Sequence, residues 1–183
     1  MSLATSCGGS AVPEAEQGTG YGMTIGSFDE PHAIPILFQM GLEGAIARAQ
    51  RNRPREVELE ILQSNHEGEL VDFLHKNMDS AAGGIVNPAG LTQHGVSLHD
   101  AIKAMPFPMA EVHMSNIAAR EEWRHHSIIS SAVKGTVQGF GWRSYTAALR
   151  LLAELAQERQ DAERAAWAAP GVKMVNDQLL VSA

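Results

Sequence analysis

From residue 34 onward, short apolar runs alternate with longer amphipathic stretches, and this alternation restricts the fold more than any other feature of the chain. Such alternation is typical of a parallel sheet whose strands are joined by crossover helices. The apolar runs predict five strands, at residues 34–40, 57–62, 84–87, 109–113 and 133–139.

The stretches between and after these strands carry apolar residues three and four positions apart, which is the spacing of one helix face. They predict helices at residues 42–52, 67–77, 96–105 and 144–168. The last helix is the longest, and the Pro-Gly pair at 170–171 ends it. Its inward face is predicted to hold Ala148, Leu151, Leu152 and Leu155.

Five strands alternating with helices predict the α/β fold class, as a flavodoxin-like, doubly wound five-stranded parallel sheet in three α/β/α layers. The 183 residues suit one domain, which we place at residues 34–168. Residues 1–33 are rich in small and polar residues without sustained periodicity, so we expect a flexible N-terminal extension. Residues 169–183 form a C-terminal extension that is apolar enough to pack on another surface, such as a neighbouring subunit.

Composition argues against several kinds of partner and environment. The net charge of −7 is spread without a basic stripe, which argues against nucleic acid or an anionic membrane as a partner. No apolar run approaches the roughly 20 residues that cross a bilayer, and the first residues show no secretory signal pattern. The only cysteine, Cys7, allows no intrachain disulfide and no cysteine cluster for zinc, so we expect a cytoplasmic protein that binds no metal.

Polar side chains follow three of the predicted strands, at the edge where a doubly wound sheet binds its ligands. Some of them could instead cap helices: Ser64 and Asn65 stand just before the helix that begins near Glu67, and capping is the commoner role of such residues. The residues are Gln63, Ser64 and Asn65 after the second strand, Asn87 after the third, and His113, Ser115 and Asn116 after the fourth.

His113 is the most informative of these residues, because an imidazole can give or take a proton near neutral pH. A single histidine at a strand end is more often a buried residue with satisfied hydrogen bonds than a catalyst. Its company favours the catalytic interpretation, since Asn87, Ser115 and Arg124 supply an amide, a hydroxyl and a guanidinium. Those groups can orient a hydroxylated carboxylate, so the sequence indicates a small-molecule substrate of that type.

Four segments resemble signature segments of the type II 3-dehydroquinate dehydratases. They are QSNHEGELVDFLH (63–75), GGIVNPAGLT (83–92), EVHMSNIAAREEWRHHS (111–127) and GTVQGFGWRSYTAALRLL (135–152). The resemblance covers roughly residues 36–155, and the third segment is far more specific than a short motif. It implies the same flavodoxin-like fold.

In that family, acid–base chemistry removes water from a cyclic hydroxy acid without a metal or a cofactor. By the resemblance, His113 is the general acid that protonates the departing hydroxyl, and Glu111 orients its ring. A carboxylate beside an imidazole can fix the tautomer of the ring and raise its basicity. The resemblance assigns substrate binding to Asn87, to the backbone of Met114 and Ser115, and to Arg124.

The resemblance also implies a homo-oligomer, because the family assembles as trimers packed into a dodecamer. Asp100 would then reach the site of an adjacent subunit. The implied partners are therefore a small-molecule substrate and further copies of the chain.

The sequence departs from the family at the mobile loop after the first strand, which there carries an Arg and a Tyr in a pattern like REPxxYG. In the family the ionised Tyr takes the proton from carbon, and the Arg lowers its pKa. One alignment sets residues 26–34 against this loop. We prefer a second, in which residues 34–40 form the first strand and lead directly into the next helix, because a buried sheet needs an apolar first strand. Neither alignment places a Tyr or an Arg in the loop.

Two further departures alter the site: Gln93 stands where the family has a substrate-binding histidine, and His99 replaces the Arg before Asp100. Loss of a positioned general base should cost roughly 10²- to 10⁴-fold in rate. We therefore predict a type II dehydroquinase-like lyase with a diverged active site, acting on a hydroxylated or carboxylated cyclic substrate other than 3-dehydroquinate, or only poorly on 3-dehydroquinate. Two alternatives stay open: a non-catalytic ligand-binding or structural relative, and a genuine 3-dehydroquinate dehydratase with an unrecognised base such as His94.

Overall fold

The computed structural model describes residues 23–25, 36–38, 47–48, 51–53, 57–171 and 173–174. Strands and helices alternate along this part of the chain, and four short 3₁₀ segments follow the strands that carry polar residues. The strands are β1 (Met23–Ile25), β2 (Ile36–Phe38), β3 (Ile61–Gln63), β4 (Gly83–Asn87), β5 (Met109–His113) and β6 (Gly135–Gln138). The helices are α1 (Glu67–Lys76), α2 (Val96–Lys103) and α3 (Arg143–Trp167).

The centre of the sheet is formed by β4 and β5, with β6 along the other side of β5. Strands β2, β4, β5 and β6 are paired in parallel, with Ile36 opposite Ile85 and Ala110 opposite Gly135. Strand β1 pairs with β4 in the antiparallel direction, and β3 contacts β2. Every residue of β4 and β5 is buried, as expected for strands that are covered on both faces.

Two hydrophobic cores lie on opposite faces of the sheet, because successive side chains of a strand point to opposite faces. On one face Ile85 and Val112 pack with Leu149 of α3. On the other face Val86 and Met109 pack in the core that α1 and α2 share. Helices on both faces make the arrangement three-layered. Within the described residues, no helix is long and apolar enough to cross a membrane.

The predicted α/β class is confirmed. The five predicted strands appear as β2 to β6, and three of the four predicted helices appear as α1 to α3 with ends that differ by at most two residues. The predicted helix at 42–52 lies mostly outside the described residues, although Ala47, Arg48 and Arg51 are helical.

Strand β1 was not predicted, and it falls within the range expected to be an N-terminal extension. The strand lies in a glycine-rich stretch, and its three residues are too few for an alternating apolar and polar pattern to be recognised. The pairing with residues 83–85 of β4 forms it. Strand β3 also differs from its prediction: it begins at Ile61, and upstream of it Glu58 forms only an isolated bridge.

Two expectations about single side chains are wrong. The helical spacing predicts Leu151 on the inward face of the last helix, but Leu151 is 53% exposed. The buried face is instead centred on the line from Tyr145 through Leu149 and Leu152, so Leu151 lies on the flank. Ser64 does not cap α1: the N-cap residue is His66, whose backbone N–H donates to the Ser64 hydroxyl at 2.8 Å.

Candidate functional site

A cavity of about 680 Å³ lies at the carboxyl ends of β4 and β5. The position follows from the fold, because the carboxyl ends of parallel strands meet at one edge of the sheet. Six of the eight residues proposed from the sequence line this cavity: Asn87, Gln93, His113, Met114, Ser115 and Arg124.

Glu111 and His113 are brought together by the two-residue period of β5, which puts both side chains on the same face of the strand. His113 Nε2 lies 2.7 Å from Glu111 Oε1. Both residues are buried, Glu111 completely and His113 with 6% of its surface exposed. Because Nε2 is engaged by the carboxylate, Nδ1 is the ring nitrogen that remains for a ligand in the cavity.

The Glu111 carboxylate accepts hydrogen bonds from a set of donors on the segments that follow β5. Ser127 Oγ donates to Oε1 at 2.7 Å, Ser130 Oγ donates to Oε2, and Thr136 Oγ1 lies 3.5 Å from Oε2. Burial alone would raise the pKa of Glu111, but the hydrogen bonds from His113, Ser130 and Ser127 together outweigh it, so the pKa lies below its ordinary value. Glu111 is therefore a buried, ionised carboxylate at neutral pH.

Asn87 ends β4 and is held at both ends of its carboxamide. Its Oδ1 accepts the backbone N–H of Ala89 at 3.2 Å, and its Nδ2 donates to the Tyr145 hydroxyl of α3 at 2.6 Å. Ala89 has a φ of 43°, in the left-handed region that non-glycine residues rarely adopt. The turn after β4 is thus strained at a residue that lines the cavity.

The phenol of Tyr145 is completely buried. Burial raises the pKa of this hydroxyl, and the hydrogen bond from Asn87 offsets only part of that rise. Tyr145 is therefore a neutral phenol across the physiological pH range, and it belongs to the core behind the cavity rather than to the cavity lining.

Two guanidinium groups, those of Arg120 and Arg124, line the cavity. Arg124 Cζ lies 3.9 Å from the centre of the Trp123 ring, which holds the guanidinium by cation–π contact. Its Nε lies 3.0 Å from a Glu121 carboxylate oxygen, as an ion pair without hydrogen-bond geometry. The pKa of the Glu121 carboxyl is lowered by a hydrogen bond from the Glu121 backbone and by the positive charges of Arg120 and Arg124.

Gln93 contributes an amide to the cavity. Its Nε2 lies 3.4 Å from the Arg124 carbonyl oxygen and 3.3 Å from that of His126. These contacts join the turn after β4 to the segment that carries Arg124.

Asp100 is the predicted binding residue that the structure does not bring to the cavity of its own chain. Its side chain is 74% exposed on α2, and Oδ1 lies 2.8 Å from His99 Nδ1. Within the described residues, no group of three His, Cys, Asp or Glu side chains could hold a metal ion.

Sequence reasoning missed several residues of the site. Arg120 lines the cavity, and Ser127 and Ser130 bind Glu111. Asn65, which the sequence places at the end of the second strand, also lines the cavity. A signal existed for the two serines, because they follow the conspicuous Arg-His-His run at 124–126. Only the fold shows that this run turns back over β5.

The chain is similar in sequence to several known proteins. Residues 40–153 match the family model described as Dehydroquinase class II. A 3-dehydroquinate dehydratase from Rhizobium meliloti is 48% identical over 101 residues, which are 55% of this chain and 68% of that protein. One from Corynebacterium glutamicum is 47% identical over 115 residues, which are 62% of this chain and 79% of that protein.

Among the similar relatives, a 3-dehydroquinate dehydratase from Halothermothrix orenii is 44% identical over 100 residues, or 55% of this chain and 68% of that protein. The matched part thus spans about two thirds of the length of several relatives. The solved structure of a type II dehydroquinase from Propionibacterium acnes gives a TM-score of 0.47 at 39% identity, and the match covers 49% of this chain and 65% of that one.

Proposed function

Because the chain belongs to the class II dehydroquinase family, we propose that it is an acid–base lyase that removes water from a hydroxylated cyclic carboxylic acid. Relatives carry the name 3-dehydroquinate dehydratase, so 3-dehydroquinate is the first substrate to test. The observation that carries the proposal is the buried pair of His113 and ionised Glu111 at the wall of a cavity large enough for such an acid.

In the proposed reaction, a base takes a proton from the carbon next to the one that bears the leaving hydroxyl. The electron pair of that C–H bond forms a carbon–carbon double bond as the C–O bond breaks. His113 delivers the proton on Nδ1 to the departing oxygen, which leaves as water. Glu111 is a positioning residue here: its hydrogen bond with Nε2 fixes the orientation of the ring and supports the geometry a general acid needs.

The remaining lining residues suit an oxygen-rich substrate. Arg124 and Arg120 provide positive charge for a carboxylate, and Asn87, Gln93 and Ser115 provide amide and hydroxyl groups for ring oxygens. The backbone of Met114 is a further donor or acceptor at the same wall. This set supports a small, hydroxylated, anionic ligand.

No residue is assigned here as the base that takes the proton from carbon. This favours a second candidate function, that of a non-catalytic ligand-binding relative. Neither alignment of the loop region places the family's Tyr or Arg there. Tyr145 is a poor substitute, because burial raises its pKa and its hydroxyl is bonded to Asn87. We therefore propose that turnover of 3-dehydroquinate is slow, by roughly the 10²- to 10⁴-fold that a positioned base contributes.

The test is to add 3-dehydroquinate to the purified full chain and to follow the absorbance of the conjugated enone product. His113→Ala should abolish any activity, and His75→Gln, at an exposed histidine of α1, should leave it unchanged. If the wild-type protein converts none of a panel of cyclic hydroxy acids but binds them by calorimetry, the non-catalytic candidate is correct. If His113→Ala retains full turnover, the assigned acid is wrong.

We also propose that the protein is a homo-oligomer of trimers, in which Asp100 contributes to the site of an adjacent subunit. Its exposure on α2, away from the cavity of its own chain, supports a role at an interface. Light scattering of the purified protein tests the assembly, and a monomer would contradict the shared site. In mixtures of Asp100→Ala and His113→Ala subunits, a shared site predicts activity above that of either variant alone.

A further inference from the structure

We infer that Tyr145 is a positioning residue for ligand binding: its buried hydroxyl orients the Asn87 carboxamide so that Asn87 presents an N–H donor to the cavity. The inference rests on the proposed function for the identity of the ligand, a hydroxylated carboxylic acid. It assigns a role to a residue of the core that does not line the cavity.

The geometry that carries the inference is the pair of hydrogen bonds on the carboxamide. Oδ1 must face the Ala89 backbone N–H, because an N–H can only donate, and this contact is 3.2 Å long. Nδ2 then faces Tyr145, and its 2.6 Å bond to the hydroxyl uses one of its two hydrogens. Asn87 lines the cavity, so its second N–H is the group left for an oxygen of the ligand.

The tyrosine matters because it is the side-chain partner of the carboxamide that the packed core holds in place. Ala89 belongs to the strained turn after β4, at a φ of 43°. Tyr145 lies in the first turns of α3 and has no exposed surface, so its hydroxyl is fixed by the packed core. A phenylalanine would fill nearly the same volume but would leave the Asn87 N–H facing a ring edge, free to reorient.

A merely structural role for the hydroxyl is the competing explanation, and the next residue of the helix supplies the control. Thr146 is also buried, and its Oγ1 has no hydrogen-bond partner. Thr146→Val therefore removes a buried hydroxyl from the same helix without removing a hydrogen bond to the site. Tyr145→Phe and Thr146→Val are thus matched changes that differ in the contact with Asn87.

The binding test uses quinate, which carries a ring carboxylate and hydroxyls but no ketone, as a calorimetric probe of the full chain. Tyr145→Phe should weaken quinate binding about 3- to 10-fold, the value of one neutral hydrogen bond. Thr146→Val should leave it unchanged. In an Asn87→Ala background, Tyr145→Phe should have no further effect on quinate binding, because the hydroxyl acts on the ligand through Asn87. Additive losses from the two substitutions would overturn the inference.

A second measurement needs no ligand and separates this inference from the proposed function. In protein labelled with ¹⁵N at asparagine, the Asn87 side-chain amide signals, assigned with Asn87→Ala, should shift and exchange faster with solvent in Tyr145→Phe. They should not change in Thr146→Val. Unchanged Asn87 signals in Tyr145→Phe would refute the positioning role, whereas changed signals without quinate binding would refute the assigned ligand class.

Discussion

Replacing Glu111 with glutamine should destabilise the fold, because the carboxylate is the shared acceptor for three close donors, besides the more distant Thr136 hydroxyl. His113 Nε2 and Ser127 Oγ each lie 2.7 Å from Oε1, and Ser130 Oγ donates to Oε2. Glutamine offers one acceptor oxygen and puts an NH₂ group where Oε1 or Oε2 was, so at least one of these charge-assisted bonds is lost. A hydrogen bond to a charged group contributes about 1.5–3 kcal/mol, and we expect a loss of that size in the free energy of unfolding at pH 7.

The same substitution should reduce the dependence of stability on pH. The folded-state pKa of Glu111 lies below 4.5, the ordinary value of a glutamate. A lowered pKa means that the stabilisation is complete above the unfolded-state value and is lost as pH falls through the folded-state value. The wild-type protein should therefore lose more stability than Glu111→Gln on acidification below about pH 4.5. The difference between their free energies of unfolding should become smaller as the pH falls.

The assay is urea unfolding, followed by tryptophan fluorescence, over a series of pH values at one protein concentration, because an oligomer makes stability concentration-dependent. Glu154→Gln is the control, since Glu154 is an exposed glutamate on α3. The free energy of unfolding of Glu154→Gln should match that of the wild type within about 0.5 kcal/mol. Equal stability of Glu111→Gln and wild type at pH 7, or a difference that does not narrow in acid, would refute the reasoning.

The packing of two turns can be tested in the same way. A Cβ added at Gly95 would lie 2.9 Å from both Cβ and the carbonyl oxygen of Leu91, so Gly95→Ala should cost about 1–3 kcal/mol in unfolding free energy; Gly68→Ala, with no atom within 4 Å, should instead stabilise α1 by about 0.5–1 kcal/mol. At Ala89, glycine should relieve the left-handed strain and raise the free energy of unfolding by up to about 1 kcal/mol, whereas Ala147→Gly, at an exposed position of α3, should lower it by about as much. A loss of more than 1 kcal/mol in Ala89→Gly would contradict the assigned strain.

Most of the fold could be predicted because its signals are local. The amphipathic period of α1, α2 and α3 is visible over eight residues or more, and the buried runs of β4 and β5 are continuous. The site at the strand ends follows from the parallel order of the sheet, so the sequence alone predicts that His113 and Asn87 lie close together.

The details that could not be predicted depend on contacts between distant residues. Strand β1 forms only because β4 is available to pair with it. Ser130 and Tyr145 reach Glu111 and Asn87 across 19 and 58 positions of the chain, and no spacing rule connects such pairs. Leu151 satisfies the spacing of a helix face, but the face of α3 that packs is centred on Tyr145, Leu149 and Leu152, so Leu151 lies on its flank.

The long helix α3 has two halves with different surroundings. It contains 25 residues, and those from Tyr145 to Ala156 include all of its buried apolar side chains. From 157 to 167 every residue is exposed or half-buried in this chain. A free helix as short as residues 157–167 is only marginally stable in water. These outer turns of α3 should therefore fray and exchange their amide hydrogens long before the inner turns do. A protease or a labelling reagent could therefore act on the tip of the helix while the turn that holds Tyr145 stays closed.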